Sequence, residues 1–198
     1  MTAREAEIIE LIRKEVKPAL GCTEPIAVAL AVAKAMETVE EKCGLSGPDW
    51  RMEGAYSLCI EVSGNILKNG MGVGIPGTGM VGLHIAAALG AVCGKSSYGL
   101  EVLNDLDEDS IAKAKEMVEA KDVTVGLAET DHKLYVKATV LCKDGHSACA
   151  VIEDDHDNIV ETWFDQAQLT SSHKREGADA AAQKSTLDYK LTVKEIVD

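Results

Sequence analysis

The stretch G-C-T-E-P-I-A-V-A-L-A-V-A, residues 21–33, decides how this chain folds. Its last eight residues are apolar on every side of a helix, so that helix lies inside the core rather than on its surface. Upstream, Pro18 ends a preceding helical pattern; Thr23 is a candidate cap, and Pro25 suits a first helical turn, where the donor it lacks would be unpaired anyway. The helix is predicted over 24–42, polar from Lys34 onward and closed at Gly44. Cys22 then stands just outside a helix N-terminus that opens into the interior. Unpaired amides and the positive dipole end favour an anion there, hence the thiolate, which binds metals and attacks electrophiles. Free cysteine is also among the most buried residue types, so position alone leaves a packed thiol and a functional one both open.

A length of 198 residues supports one large domain or two small ones, and 46% apolar content is enough for a core. The 33 acidic residues outnumber 20 basic ones, a formal charge of -13, and no basic patch offsets it. Nucleic acid and anionic membrane surfaces are therefore not expected as partners. Aromatics make up only 4%, so the core must be built from Ala, Val, Leu, Ile and Gly, with helices packed closely. The N-terminal M-T-A-R-E-A-E is acidic and helical, unlike a signal peptide, and the longest strongly apolar run, 26–33, is too short to span a bilayer. A cytoplasmic chain is expected. The six cysteines, at 22, 43, 59, 93, 142 and 149, form no C-x-x-C pair, and a reducing compartment disfavours disulfides.

Capping signals and periodicity predict the organisation. Thr2 and Glu5 form a capping box for a helix with Ile8, Leu11, Ile12 and Val16 on one face. A loop with Gly47-Pro48 leads to the strand A-Y-S-L-C-I-E-V, where Cys59 reads as a small buried hydrophobe. The glycine-dense segment 63–79, S-G-N-I-L-K-N-G-M-G-V-G-I-P-G-T-G, lets backbone approach a ligand or another segment. A helix over 79–93, capped by Thr78 and ended by Gly94, puts a second helix N-terminus at that segment. A helix from about Glu108 to Ala120 precedes an antiparallel set of strands. Asp144-Gly145 reads as a two-residue hairpin pairing 142 with 147 and 140 with 149, with Cys142 and Cys149 as diagonal neighbours poorly placed to bridge.

The expected fold class is α+β: a helical, glycine-rich lobe at 1–121 that carries the G-C-T-E-P motif, and a mainly antiparallel sheet lobe at 122–165. Residues 166–190 read as a flexible connection. Residues 191–198, with a capping box from Thr192 to Glu195, read as the start of a truncated helix, so that the chain is expected to be the N-terminal portion of a longer protein.

Several motifs carry little chemistry. Gly72-x-Gly74-x-x-Gly77 formally matches a dinucleotide fingerprint, but S-G-N-I-L-K-N intervenes after the strand and Pro76 breaks the pattern. No Lys-Ser or Lys-Thr pair makes a Walker-type loop. His84 reads as a satisfied core histidine, and His132, His146 and His173 as solvated. The acidic run E-D-D-H-D at 153–157 reads as a solvated turn without calcium-loop spacing.

G-C-T-E-P, S-G-N-I-L-K-N-G-M and I-P-G-T-G-x-x-G-x-x-I-A-A-A-L-G occur in this order. Together they resemble the serine dehydratase alpha-chain superfamily, in particular its L-cysteine desulfidase branch, over the whole chain and most strongly from Pro18 to Gly90. H-D-N-I-V at 156–160 is similar to that family's H-T-N-I-V, with Asp157 replacing threonine, a departure that weakens any role for the segment. The resemblance implies a lyase with an oxygen-sensitive iron-sulfur (4Fe-4S) cluster held by three cysteines, one iron left open for substrate, and no pyridoxal phosphate. Cys22 is then a cluster ligand, and since no other cysteine matches a cluster position, the two remaining ligands would lie beyond Asp198.

The implied reaction is α,β-elimination of L-cysteine to pyruvate, ammonia and sulfide, or of L-serine to pyruvate and ammonia. Iron would stabilise the charge on the leaving sulfur or oxygen. Thr23, Glu24, Asn65, Asn69, Thr78 and Gly79 are the implied substrate contacts, with a small amino acid as partner and a homo-oligomer left open. Lys68 is a candidate base if desolvation lowers its pKa; its other reading is an exposed lysine after a strand. On this resemblance the chain alone is inactive. The alternative is a non-catalytic small-ligand-binding or oligomerisation module that pairs through the sheet lobe around Asp144-Gly145.

Overall fold

Every residue from Pro25 to Ala33 is buried, because the apolar helix opened by the decisive stretch runs between a sheet and a second helix of small residues. The structure, a computed structural model, describes residues 3–45 and 49–172. Helix α1 is Ala3–Glu15, α2 is Thr23–Cys43 and α3 is Asp49–Glu53; strand β1, Tyr56–Val62, and helix α4, Gly64–Gly70, follow. Helix α5 is Leu83–Val92, a 3-10 turn covers Ser96–Glu101, and α6 is Glu108–Glu119. Strands β2 Val123–Leu127, β3 Tyr135–Cys142, β4 Ser147–Glu153, β5 Ile159–Phe164 and β6 Ala167–Ser171 complete the described chain. The fold is α+β. No described helix is long and apolar enough to cross a membrane.

The six strands form one sheet in the order β2-β1-β3-β4-β5-β6. β1 and β2 are parallel, joined through α5 and α6 as a parallel pair requires, and every other neighbouring pair is antiparallel. Strand alternation sends Leu58, Ile60 and Val62 of β1 to the same face as Val140, Ala138 and Val136 of β3, their register partners. That face meets α2, which lies over β3, β4 and β5, while α5 packs on α2, α6 and β2. The expected boundary at 121/122 falls inside this arrangement: β1 pairs with β2 and β3, and one core joins helices and strands from both sides of it.

Several local expectations are corrected. Thr23 is the first residue of α2 rather than its cap; Cys22 is the N-cap, with extended backbone and no side-chain cap bond. The helix predicted from 79 begins only at Leu83, after Gly82 as N-cap, so Thr78 caps nothing. Residues 73–82 hydrogen-bond across to themselves first, with Gly82 N–H donating to Val73 O at 2.9 Å and Ile75 N–H to Met80 O at 3.0 Å, and cannot be helical meanwhile. The hairpin is one residue longer than expected. Cys142 N–H donates to His146 O, Gly145 takes φ 98, and Leu141 pairs with Ser147, as in a three-residue loop with a left-handed glycine. A one-residue shift turns side chains over, so Cys142 and Cys149 lie on opposite faces of the sheet. Cys59 is not in the core: it is half-exposed on the face away from the helices. Ile12 and Val16 of the predicted apolar face of α1 are exposed, at 52% and 68%. The chain does not become a connection at 166, because Ala167–Ser171 pair with β5. The capping residue Thr2, His173 and the readings at 173–190 and 191–198 lie outside the described residues.

One ion pair ties the helices together. Arg51 of α3, only 8% exposed, donates to both carboxylate oxygens of Glu40 on α2 at 2.6 Å and to Gly94 O at 2.9 Å. Its guanidinium thus satisfies a carbonyl left open where α5 ends. Arg51→Leu would strand the Glu40 carboxylate and is expected to lower unfolding free energy by about 3 kcal/mol. Urea unfolding checks this; a loss within the range of an exposed pair, up to about 1 kcal/mol, would show that the pair ties nothing.

Candidate functional site

At the open end of α2 the first-turn amides have no helical partners. The exposed Cys22 thiol donates to Glu24 Oε2 at 2.8 Å, and the Thr23 hydroxyl lies 3.5 Å from the same oxygen. Asn69 Nδ2 of α4 donates to Glu24 Oε1 at 3.1 Å, so one carboxylate joins two helices that are 45 residues apart in sequence at this point. The Glu24 carboxyl is held below the usual carboxylate range, chiefly by the Cys22 hydrogen bond, with help from Asn69 and His156. The Cys22 thiol is pushed up, first by its hydrogen bond to Glu24. This corrects the expectation of a thiolate: a carboxylate two residues away outweighs the helix dipole.

Two further segments converge here. Lys17 Nζ donates to both carboxylate oxygens of Asp157 at 2.8 Å, which brings the β4–β5 turn to the chain just before α2. His156 in that turn is half-buried and close enough to act on the Glu24 carboxylate when its ring carries a proton. From the other side, a Cβ on Gly21 would stand 3.7 Å from Pro76 Cδ. Gly21, Pro76, Leu20, Ile75 and Leu106 line a cavity of about 370 Å³. The glycine-rich loop thus backs the G-C-T-E-P turn.

The sequence-predicted residues are only partly united. Cys22, Thr23, Glu24 and Asn69 form one hydrogen-bonded group. Asn65 and Lys68 share the exposed face of α4 with Asn69, but Lys68 is solvent-exposed rather than desolvated, the opposite of what its reading as a base required. Thr78 is corrected as a substrate contact: it is buried, and its hydroxyl donates to Ile75 O at 2.8 Å and accepts from Met80 N–H at 3.0 Å within its own turn. Gly79 sits in that turn with φ 68, a conformation glycine adopts freely. Sequence reasoning missed Lys17, and it took His156 and Asp157 for part of a solvated turn. The signal that could have found them was the H-D-N-I-V segment, set aside for its Asp157.

All six cysteines lie among the described residues, and they are dispersed. Cys43 closes α2, about 30 Å from Cys22 at 1.5 Å per residue. Cys43 adds to the upward push on the Cys142 thiol, so those two are neighbours at that far end. Cys93 donates to Leu89 O at 3.4 Å, and burial pushes its thiol up to about 11. Cys59 and Cys149 flank Thr139 on the outer face of the sheet. Among the described residues no three His, Cys, Asp or Glu side chains are grouped to hold a metal ion. The donor set does not fit a complete 4Fe-4S cluster: one thiol stands where three are needed. Anaerobic reconstitution of this chain alone is expected to leave far less than the roughly four irons per chain of a full cluster. Stoichiometric iron and sulfide, lost in Cys43→Ser or Cys93→Ser, would overturn that.

The chain is similar to proteins whose names state no activity. It is 43% identical over 186 residues to a UPF0597 protein of Phocaeicola vulgatus, a match covering 93% of this chain and 40% of the relative. It is 41% identical over 194 residues to one of Bacteroides fragilis, covering 94% and 42%, and 40% identical over 190 residues to one of Shewanella pealeana, covering 96% and 42%. The chain thus spans about two fifths of the length of the curated relatives it matches. No family model matches it, and no solved structure matches it. The resemblance to the serine dehydratase superfamily and its cysteine desulfidase branch is corrected by these names, which are UPF0597 throughout and neither of those. Its motifs include many glycine and proline positions, which record backbone turns and close approaches rather than a particular chemistry.

Proposed function

We propose that this chain carries part of the active site of a cytoplasmic lyase that performs α,β-elimination on L-cysteine or L-serine, releasing pyruvate, ammonia and sulfide or water. The observation that supports it is the convergence of Cys22, Glu24, Asn69 and His156 on the open N-terminus of a buried helix. The positive dipole end of that helix suits a substrate carboxylate, and the ionised Glu24 suits the substrate ammonium. His156, in the turn that Lys17 ties to the chain just before α2, is assigned as the proton acceptor at Cα, a role that needs its neutral ring. The Cα–H electron pair becomes the Cα–Cβ double bond as thiolate or hydroxide leaves Cβ; the aminoacrylate tautomerises to an imine, and water releases pyruvate and ammonia. Activation of the leaving atom falls to groups outside the described residues, to which Cys22 contributes one thiol.

The test is anaerobic pyruvate release from either amino acid. The protein to assay is a chimera in which this chain replaces the matched two fifths of the Phocaeicola vulgatus relative. Turnover that depends on Cys22 is expected; a folded chimera that makes no pyruvate from either substrate refutes the reading.

A further inference from the structure

We propose that the outer face of the sheet is the seat of the polypeptide that makes up the other three fifths of the relatives, whether or not the lyase reading holds. An antiparallel sheet with one face in water alternates apolar inside and polar outside. Here β4 departs from that rule: it is buried without a break from Ala148 to Glu153, although its Cys149 and Val151 point away from the helices. Cys149, Val151 and Val160 form a second hydrophobic cluster, joined by Tyr135 and Trp163 and by no helical residue.

The same face holds a hollow of about 440 Å³ lined by Tyr135, Thr139, Val151 and Trp163. Polar groups around it are already paired: Lys137 with Glu61 at 2.9 Å, and Trp163 Nε1–H with Glu161 at 3.0 Å. Aromatic and apolar side chains interleaved with charges that already have partners can be covered by another polypeptide without stranding a charge. In the relatives about three fifths of the chain lies outside the match, enough for a further domain.

The test is to express this chain together with the unmatched part of the Phocaeicola vulgatus relative as separate polypeptides. Cys59, half-exposed on this face, reports coverage by its alkylation rate. The two polypeptides are expected to co-purify with Cys59 protected about tenfold or more. Thr139→Arg, which sets a long cation in the hollow without touching the core, is expected to abolish the complex, whereas Glu119→Arg on α6 leaves it intact. Failure to co-purify, a complex in which Cys59 stays fully reactive, or insensitivity to Thr139→Arg would each overturn the proposal. So would protection of Cys59 by dimerisation of this chain alone. The lyase reading fails separately, in the covalent chimera, where docking of a free partner is not required.

Discussion

Gly90→Ala is expected to destabilise the protein by roughly 2 kcal/mol or more, against helix propensity, which favours alanine over glycine by about 1 kcal/mol. A Cβ at Gly90 would lie 2.4 Å from the carbonyl oxygen of Ala29, 2.8 Å from its Cα and 2.9 Å from its carbonyl carbon. These are backbone atoms in the middle of a buried helix, so no side chain can swing aside. Either α5 lifts off α2 or α2 bends, and overpacking of this kind typically costs up to about 3 kcal/mol. Gly126→Ala is the control, because nothing lies within 4 Å of the Cβ it would add. Urea unfolding of both variants decides the matter. A Gly90→Ala protein as stable as the parent, or more so, would mean that α2 and α5 do not approach as closely as they do here. A displaced α2 would also move its N-terminus, so a loss of Cys22-dependent activity should accompany the loss of stability.

Cys22→Ser in the chimera is expected to lower elimination by about a hundredfold or more while leaving the unfolding midpoint near the parent's. Cys22 is exposed and packs nothing, so little folding energy depends on it. On the proposed reading its soft sulfur serves the reaction, and a hard hydroxyl is no substitute for it. Asn69→Ala removes the anchor of Glu24 on α4, and its expected effect is smaller, roughly tenfold, as for groups that orient a site from one step away. Cys59→Ser should change neither activity nor stability appreciably, since that residue sits half-exposed on the outer sheet face. Anaerobic pyruvate assays beside thermal unfolding separate the cases. Near-parental turnover in Cys22→Ser would make the thiol incidental to the reaction.

Much of the secondary structure was legible in local pattern. The apolar run after Pro25 and the glycine at 44 defined α2 to within a residue at each end, because a helix apolar all round has to be buried and a left-handed glycine ends it. Helix α6, expected from about Glu108 to Ala120, runs Glu108–Glu119, and the structure adds its cap, the Asp107 side chain accepting from Ser110 N–H at 2.8 Å. Turns were harder. The three-residue loop at Gly145 and the late start of α5 depend on hydrogen bonds between residues several positions apart, which glycine counts alone do not reveal. β6 escaped notice because A-Q-L-T-S lies in a run of small and polar residues and is exposed throughout; it is a strand only because β5 offers it a free edge.

By itself, the sequence determined that this is an α+β protein with a buried small-residue helix and a cysteine at its mouth, since burial periodicity and caps act over a few residues. Only the tertiary structure decided which groups share that mouth. Asn69 reaches Glu24 across 45 residues, and Lys17 reaches Asp157 across 140. It also decided that Thr78 and Lys68 stand aside, one locked in its own turn and the other in solvent. Contacts of that range are set by how helices and strands stack on a common core, and a β-turn's side chains acquire their neighbours only when the sheet carrying them is laid against the helix.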